Sequence, residues 1–147
     1  MQPTGIKLRE VLLPIIAKMG IQQSYSILSQ GLFPDVMGSV ESKITSLKKE
    51  EMLQPIDLTS RSGETKVDLY ISFTQGEAEE FYRDVFKPSL KFECNIIEED
   101  VGIILPKKSK ASVFSCDAII RSGDTAVACD LIIEGQYGDS QNLIEEF

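Results

Sequence analysis

Residues 111–134, ASVFSCDAIIRSGDTAVACDLIIE, constrain the fold more than any other stretch of this chain. They read as two alternating strands joined by a tight turn at Ser122-Gly123. A two-residue loop there fixes the register, setting Arg121 opposite Asp124, Ala118 opposite Val127 and Cys116 opposite Cys129. One face then carries Phe114, Cys116, Ala118, Ile120, Val127, Cys129 and Leu131. The other carries Ser115, Asp117 and Asp130 among Ile119, Ala126, Ala128 and Ile132, a mixture too apolar for free water. A slip of one residue would carry both aspartates to the apolar side, at a cost of several kcal/mol for unpaired buried charge, so the two faces are strongly specified.

The rest of the chain supplies the cover. Thr4 caps a helix over residues 5–19 with Leu8, Val11, Leu12, Ile15 and Met19 as its stripe, and Pro14 is expected to kink or restart it. A more polar helix is expected over 22–30. A longer one follows over 35–53, with Val36, Val40, Ile44 and Leu47 facing inward and its Lys and Glu residues in water. Residues 55–65 are turn-rich. A strand over 67–73, a short helix capped at Thr74, with Glu77 at the capping-box spacing and Ala78, Phe81, Tyr82 and Val85 facing inward, ending before Pro88, and strands over 92–96 and 101–105 precede the hairpin, with an acidic turn at 98–100. Helices followed by strands give an α+β fold, with N-terminal helices packed on one face of an antiparallel sheet of about four to five strands. The expected organisation is a domain over residues 1–136, with a helical part at 5–54 and a sheet part at 66–134, and an acidic flexible tail at 137–147.

Charge and missing residue types exclude much chemistry. Of the net charge of −8, none lies in residues 1–75, which hold eight acids and eight bases; residues 76–147 hold fifteen acids and seven bases. That field repels phosphate backbones, and the lone basic cluster at Lys107, Lys108 and Lys110 reads as a solvated turn. With no histidine, Ser-His-Asp and Cys-His catalysis and histidine metal sites are excluded. The chain has no Walker motif, dinucleotide fingerprint or CxxC, so no cofactor or metal is expected. No apolar run approaches the roughly 20 residues that span a bilayer. No cleavage pattern of a signal peptide follows the first apolar run, so a cytoplasmic protein, or one assembled into a particle built in the cell, is expected.

Four residues on the mixed face, Asp117, Asp130, Ile119 and Ile132, are the candidate partner-binding set. The two aspartates stand on neighbouring strands at a spacing that acid–base chemistry uses, but a polar, partner-facing side is the simpler reading, and no catalytic residue is assigned. Cys94, Cys116 and Cys129 are expected as packed thiols in a reducing compartment. Placed opposite each other, Cys116 and Cys129 form a candidate redox pair, able to make a strained and therefore labile bridge.

The segment CDAIIRSGDTAVACDLIIEG, residues 116–135, resembles the paired sheet strands of hot-dog-fold thioesterases. That resemblance implies an acyl-thioester or small-lipid binder whose sheet wraps the helix at 35–53, with Asp35 or Glu41 as candidate acids. Separately, KVDLYISF followed by GEAEEFYRDVF resembles small ring-forming proteins of phage tails, implying a structural subunit of a larger particle. The leading reading is a non-enzymatic interaction or assembly protein, self-associating or binding a protein partner. The charge distribution predicts no measurable binding to duplex DNA or RNA near physiological salt. Fluorescence anisotropy checks this, and micromolar binding that weakens steeply with added salt overturns it.

Overall fold

The computed structural model describes residues 4–31, 37–59, 63–99 and 112–135. Helix α1 covers residues 5–18 as an α-helical turn at Gly5–Lys7, a wider π-helical stretch at Leu8–Leu12 and α-helix again at Leu13–Lys18. Strands β1 (Gln23–Ser29) and β2 (Ser39–Ile44) form an antiparallel pair of their own. Strand β3 (Thr65–Phe73) leads into helix α2 over residues 77–89, then β4 (Asn95–Glu98), β5 (Val113–Ser122) and β6 (Thr125–Glu134). The last four strands form one sheet in the order β4-β3-β5-β6.

Both helices widen just before a proline. Pro14 and Pro88 have no N–H to give the preceding turn, and their rings crowd the carbonyl four residues back. Each helix relieves this by bonding the residue before the proline five residues back, Leu13 N–H to the Leu8 carbonyl and Lys87 N–H to the Tyr82 carbonyl. The expected kink at Pro14 is thus a π-helical turn, and α2 continues through Pro88 to Ser89.

The helices take opposite faces of the four-stranded sheet, which corrects the expectation that they share one. Helix α2 lays Ala78, Phe81, Tyr82 and Phe86 against Leu69, Ile71, Phe114 and Cys116. Rings dominate that layer: Phe81 meets Phe114 edge-on at 5.2 Å, and Phe86 lies 4.8 Å from Phe114. On the other face Ile6 of α1 packs with Ile27, Tyr70 and Ile119. Strand β5, central and covered twice, is buried from Val113 to Ile119.

The sheet is also not wholly antiparallel. Strand β4 runs parallel to β3, because α2 between them carries the chain back to the end from which β3 starts. Two expected helices are strands. Residues 22–30 hold Tyr25 and Ile27 between serines, a period of two that wins over helical spacing, and β1 alternates in burial accordingly. The sparse stripe expected over 35–53 fails because Val40 and Ile44 lie on strand β2 and are exposed. The helix that the hot-dog resemblance requires is therefore replaced by a strand at Ser39–Ile44, with Glu41 on it and exposed. The expected strand at 101–105, the Lys107, Lys108 and Lys110 cluster, Asp35 and the tail at 137–147 lie outside the described residues.

The hairpin forms, but its loop is Gly123-Asp124 rather than Ser122-Gly123. Gly123 has φ 58 and, among the described residues, no non-glycine residue has positive φ, the pattern of a type II′ turn, which wants glycine first. The expected loop would have put Ser122 in that first position. Ser122 now pairs with Thr125, Ala118 with Cys129, Cys116 with Leu131 and Asp117 with Asp130. The displacement is by two residues, so every side chain keeps its expected face while its partner changes. In a two-residue hairpin the pair next to the loop is hydrogen-bonded and pairs alternate outward, making Asp117/Asp130 a close, non-hydrogen-bonded pair. NMR contacts between the α-protons of Asp117 and Asp130, and of Ile119 and Ala128, are expected. A Cys116–Cys129 contact in their place would restore the other register.

Candidate functional site

The close approach of Asp117 and Asp130 sets the chemistry of the face beneath α1. Like charges directly opposite on paired strands destabilise a sheet, and here one of them, Asp117, is buried. Each aspartate is met by a different residue of the first turn of α1. Thr4, the N-cap, donates its hydroxyl to Asp117 at 2.5 Å and accepts from the Lys7 amide. Lys7 forms an ion pair with Asp130. The cap that starts the helix and the cation one turn later therefore satisfy the two carboxylates together.

Further along α1 the pattern repeats. Arg9 lies over the Tyr70 ring at 5.4 Å and pairs with Glu99 at 2.6 Å. Glu10 accepts from Arg9 and Arg121, both at 2.7 Å, and Arg121 also pairs with Asp68, which accepts from Asn95 at 2.8 Å. At the far end Lys18 reaches Asp124 of the hairpin turn at 2.7 Å. The register puts Asp68, Asp117 and Asp130 on one face with Arg121 and the exposed Lys66, and Glu99 follows β4 on the same side. This is an acidic surface covered by a helix that brings Lys7, Arg9 and Lys18.

The four residues expected to meet a partner are thus brought together, and the chain's own helix meets three of them. Ile119 is fully buried, Asp117 is buried and bonded to Thr4, and Asp130 is held by Lys7; Ile132 remains 41% exposed. The helix side of the network, Thr4, Lys7, Arg9 and Glu10, was not legible in the sequence. Charged residues off an apolar stripe look the same whether they face water or an oppositely charged sheet. Beside Ile132 opens a cleft of about 350 Å³ between the start of α1, β1 and β5, lined in part by Ser29 and Ser115.

The expected thiol pair is not opposed across the hairpin, because the register sets Cys116 against Leu131 and Cys129 against Ala118. The short Cα separation that would have strained a bridge between opposed cysteines does not apply. Cys116 is buried and Cys129 exposed, and burial pushes the Cys116 thiol well above its usual range, which leaves it a poor nucleophile. Among the described residues no group of three or more acidic or cysteine side chains could hold a metal ion, and no helix is long and apolar enough to cross a membrane. Compared with known proteins, the chain matches no family model and no curated protein.

Burial raises the Asp117 carboxyl above the usual carboxylate range, and the Thr4 hydrogen bond and nearby Lys7 only partly oppose it. The folded state therefore binds more protons than the unfolded chain between the unfolded value, near 3.9, and the raised folded one. Stability from this group is fully present below that window and is lost as pH rises through it. Asp117→Asn keeps an oxygen for Thr4 and removes the titration. It is expected to stabilise the protein at pH 7 by about 0.5–2 kcal/mol, with the difference vanishing toward acid pH. Thermal melts across pH check this, and a variant less stable than wild type at pH 7 would put the attraction to Lys7 above the burial penalty.

Proposed function

We propose that this chain is a non-enzymatic assembly protein, working through protein surfaces as an oligomer or as a subunit of a larger complex inside the cell. The observation that carries this reading is the β1–β2 pair. Every residue of β2 is exposed, and Ile44 leaves 69% of its surface in water. The register puts Val40 beside buried Ile27, so an apolar ledge runs outward from the core along Ile27, Val40 and Ile44. A two-stranded ribbon is marginal by itself. Burying side chains of this size stabilises by about 1.5–3 kcal/mol each, which a partner surface can supply.

The edge of the main sheet supports the same reading. Among the described strands β6 stands at one end of the sheet, a ten-residue strand with Val127 exposed on one face and Ile132 on the other. Edge strands of that length and composition pair readily with another chain. The overall charge favours protein rather than nucleic acid as the partner.

Native mass measured across a concentration series tests the proposal. Wild type is expected to exceed the monomer mass, and Val40→Asp with Ile44→Asp is expected to return it to monomer with an unchanged circular dichroism spectrum. Wild type that stays monomeric throughout, with no partner retained from its natural source, overturns it.

A further inference from the structure

The two helices are fastened in different ways. Helix α2 buries Ala78, Phe81, Tyr82 and Phe86, whereas Ile6 is the one buried side chain among the residues of α1. What aligns α1 is charge. Lys7 meets Asp130, Arg9 meets Glu99 and Lys18 meets Asp124, while Glu10 meets Arg121, so the pairs run the length of the helix. Such pairs carry little net stability each and are screened by salt, yet together they set orientation and register. The helix leaves the face through residues 19–22, where Gly20 takes φ 94 and an added Cβ would meet, among the described residues, only Gln54, at 3.9 Å.

We infer that the acidic sheet face beneath α1 is a docking site for a basic helix, and that α1 of a second copy is the occupant it accepts in exchange for its own. A second copy carries the same Thr4, Lys7, Arg9 and Lys18, so exchange recreates every pair across two chains and breaks none. Exchange of an identical element is a low-cost route to a dimer, because the new interface repeats contacts the fold already makes. Because either copy holds the helix equally well in wild type, the ledge on β2 and the edge of β6 supply the contacts that tip the balance towards the dimer. This deepens the assembly reading and rests on it.

Two full-length charge reversals test the exchange. One carries Lys7→Glu and Arg9→Glu, so an acidic helix meets its own acidic face. The other carries Glu99→Lys and Asp130→Lys, so a basic helix meets its own basic face. Alone, each is expected to lose amide protection over residues 5–18 by roughly tenfold or more while 69–71 and 114–119 stay protected. Mixed, each helix finds a matching face only on the other variant. Native mass spectrometry is expected to show a heterodimer of one copy of each, with protection over 5–18 restored.

A mixture that stays as separate variants, or a dimer without restored protection, overturns the exchange. Loss of strand protection in either variant alone also overturns it, since α1 would then be an inseparable part of the core. Adding Val40→Asp and Ile44→Asp to both variants separates the two ideas. A heterodimer that survives this change assigns the contact to the helices, and one that disappears assigns it to the ledge and sinks the exchange.

Discussion

The second face of the sheet depends on one constraint: Asp117 and Asp130 stand opposite each other in a close pair, and Asp117 is buried. An ionised carboxylate in that position needs a donor, and a second one beside it needs a cation. Thr4 and Lys7 provide both from a single helical turn. The position of α1 follows, because a helix whose cap must reach β5 and whose next turn must reach β6 has little choice of direction. Arg9, Glu10 and Lys18 then fall within reach of Glu99, Arg121 and Asp124.

Covering β5 on both sides divides the energetics between two unlike layers. Under α2, five rings and the side chains around them exclude water, and truncating Phe86 or Phe114 there would leave a cavity that rigid neighbours could not fill. Under α1 the apolar contact is narrow, and ion pairs set where the helix lies. Replacing such pairs by packed apolar residues is often neutral or stabilising, so their presence calls for a reason other than stability. Direction and register supply one: an apolar stripe could slide along Ile119 and Tyr70, whereas Lys7 on Asp130 and Arg9 on Glu99 fix one alignment.

Much of this was legible in the residues. The two faces of the hairpin and β3 follow from a period of two, and α1 from its cap at Thr4 and its helical stripe; α2 follows from its stripe, but its N-cap is Gly76 and not the expected Thr74. The exact pairing did not follow, because serine-glycine-aspartate offers two loops and only the sign of φ at the first position separates them. Strands β1 and β2 were hidden for a different reason. Their polar residues fit a solvated helix as well as a solvated strand, and β2 lacks a buried face whose period would tell them apart. The gathering of Asp117, Asp130, Ile119 and Ile132 was legible, but the identity of their cover was not. That depends on contacts more than a hundred residues apart in the chain, which no local pattern encodes.

The same separation explains why a chain would keep a layer fastened by charge. A helix buried on aromatic rings leaves only when the core opens, on the scale of global unfolding. On the proposed exchange, a helix held by surface-reaching ion pairs is expected to detach at lower free energy and leave the ring-packed side of β3 and β5 intact. Its pairs are directional, so whatever replaces it must present cations at the same spacing as Lys7, Arg9 and Lys18, together with an acid for Arg121. A general hydrophobic partner does not meet that requirement, and another copy of the same helix does. In the proposed exchange, selectivity for self over other chains resides in the acidic face, while the exposed ledge of Val40 and Ile44 supplies apolar area without discrimination.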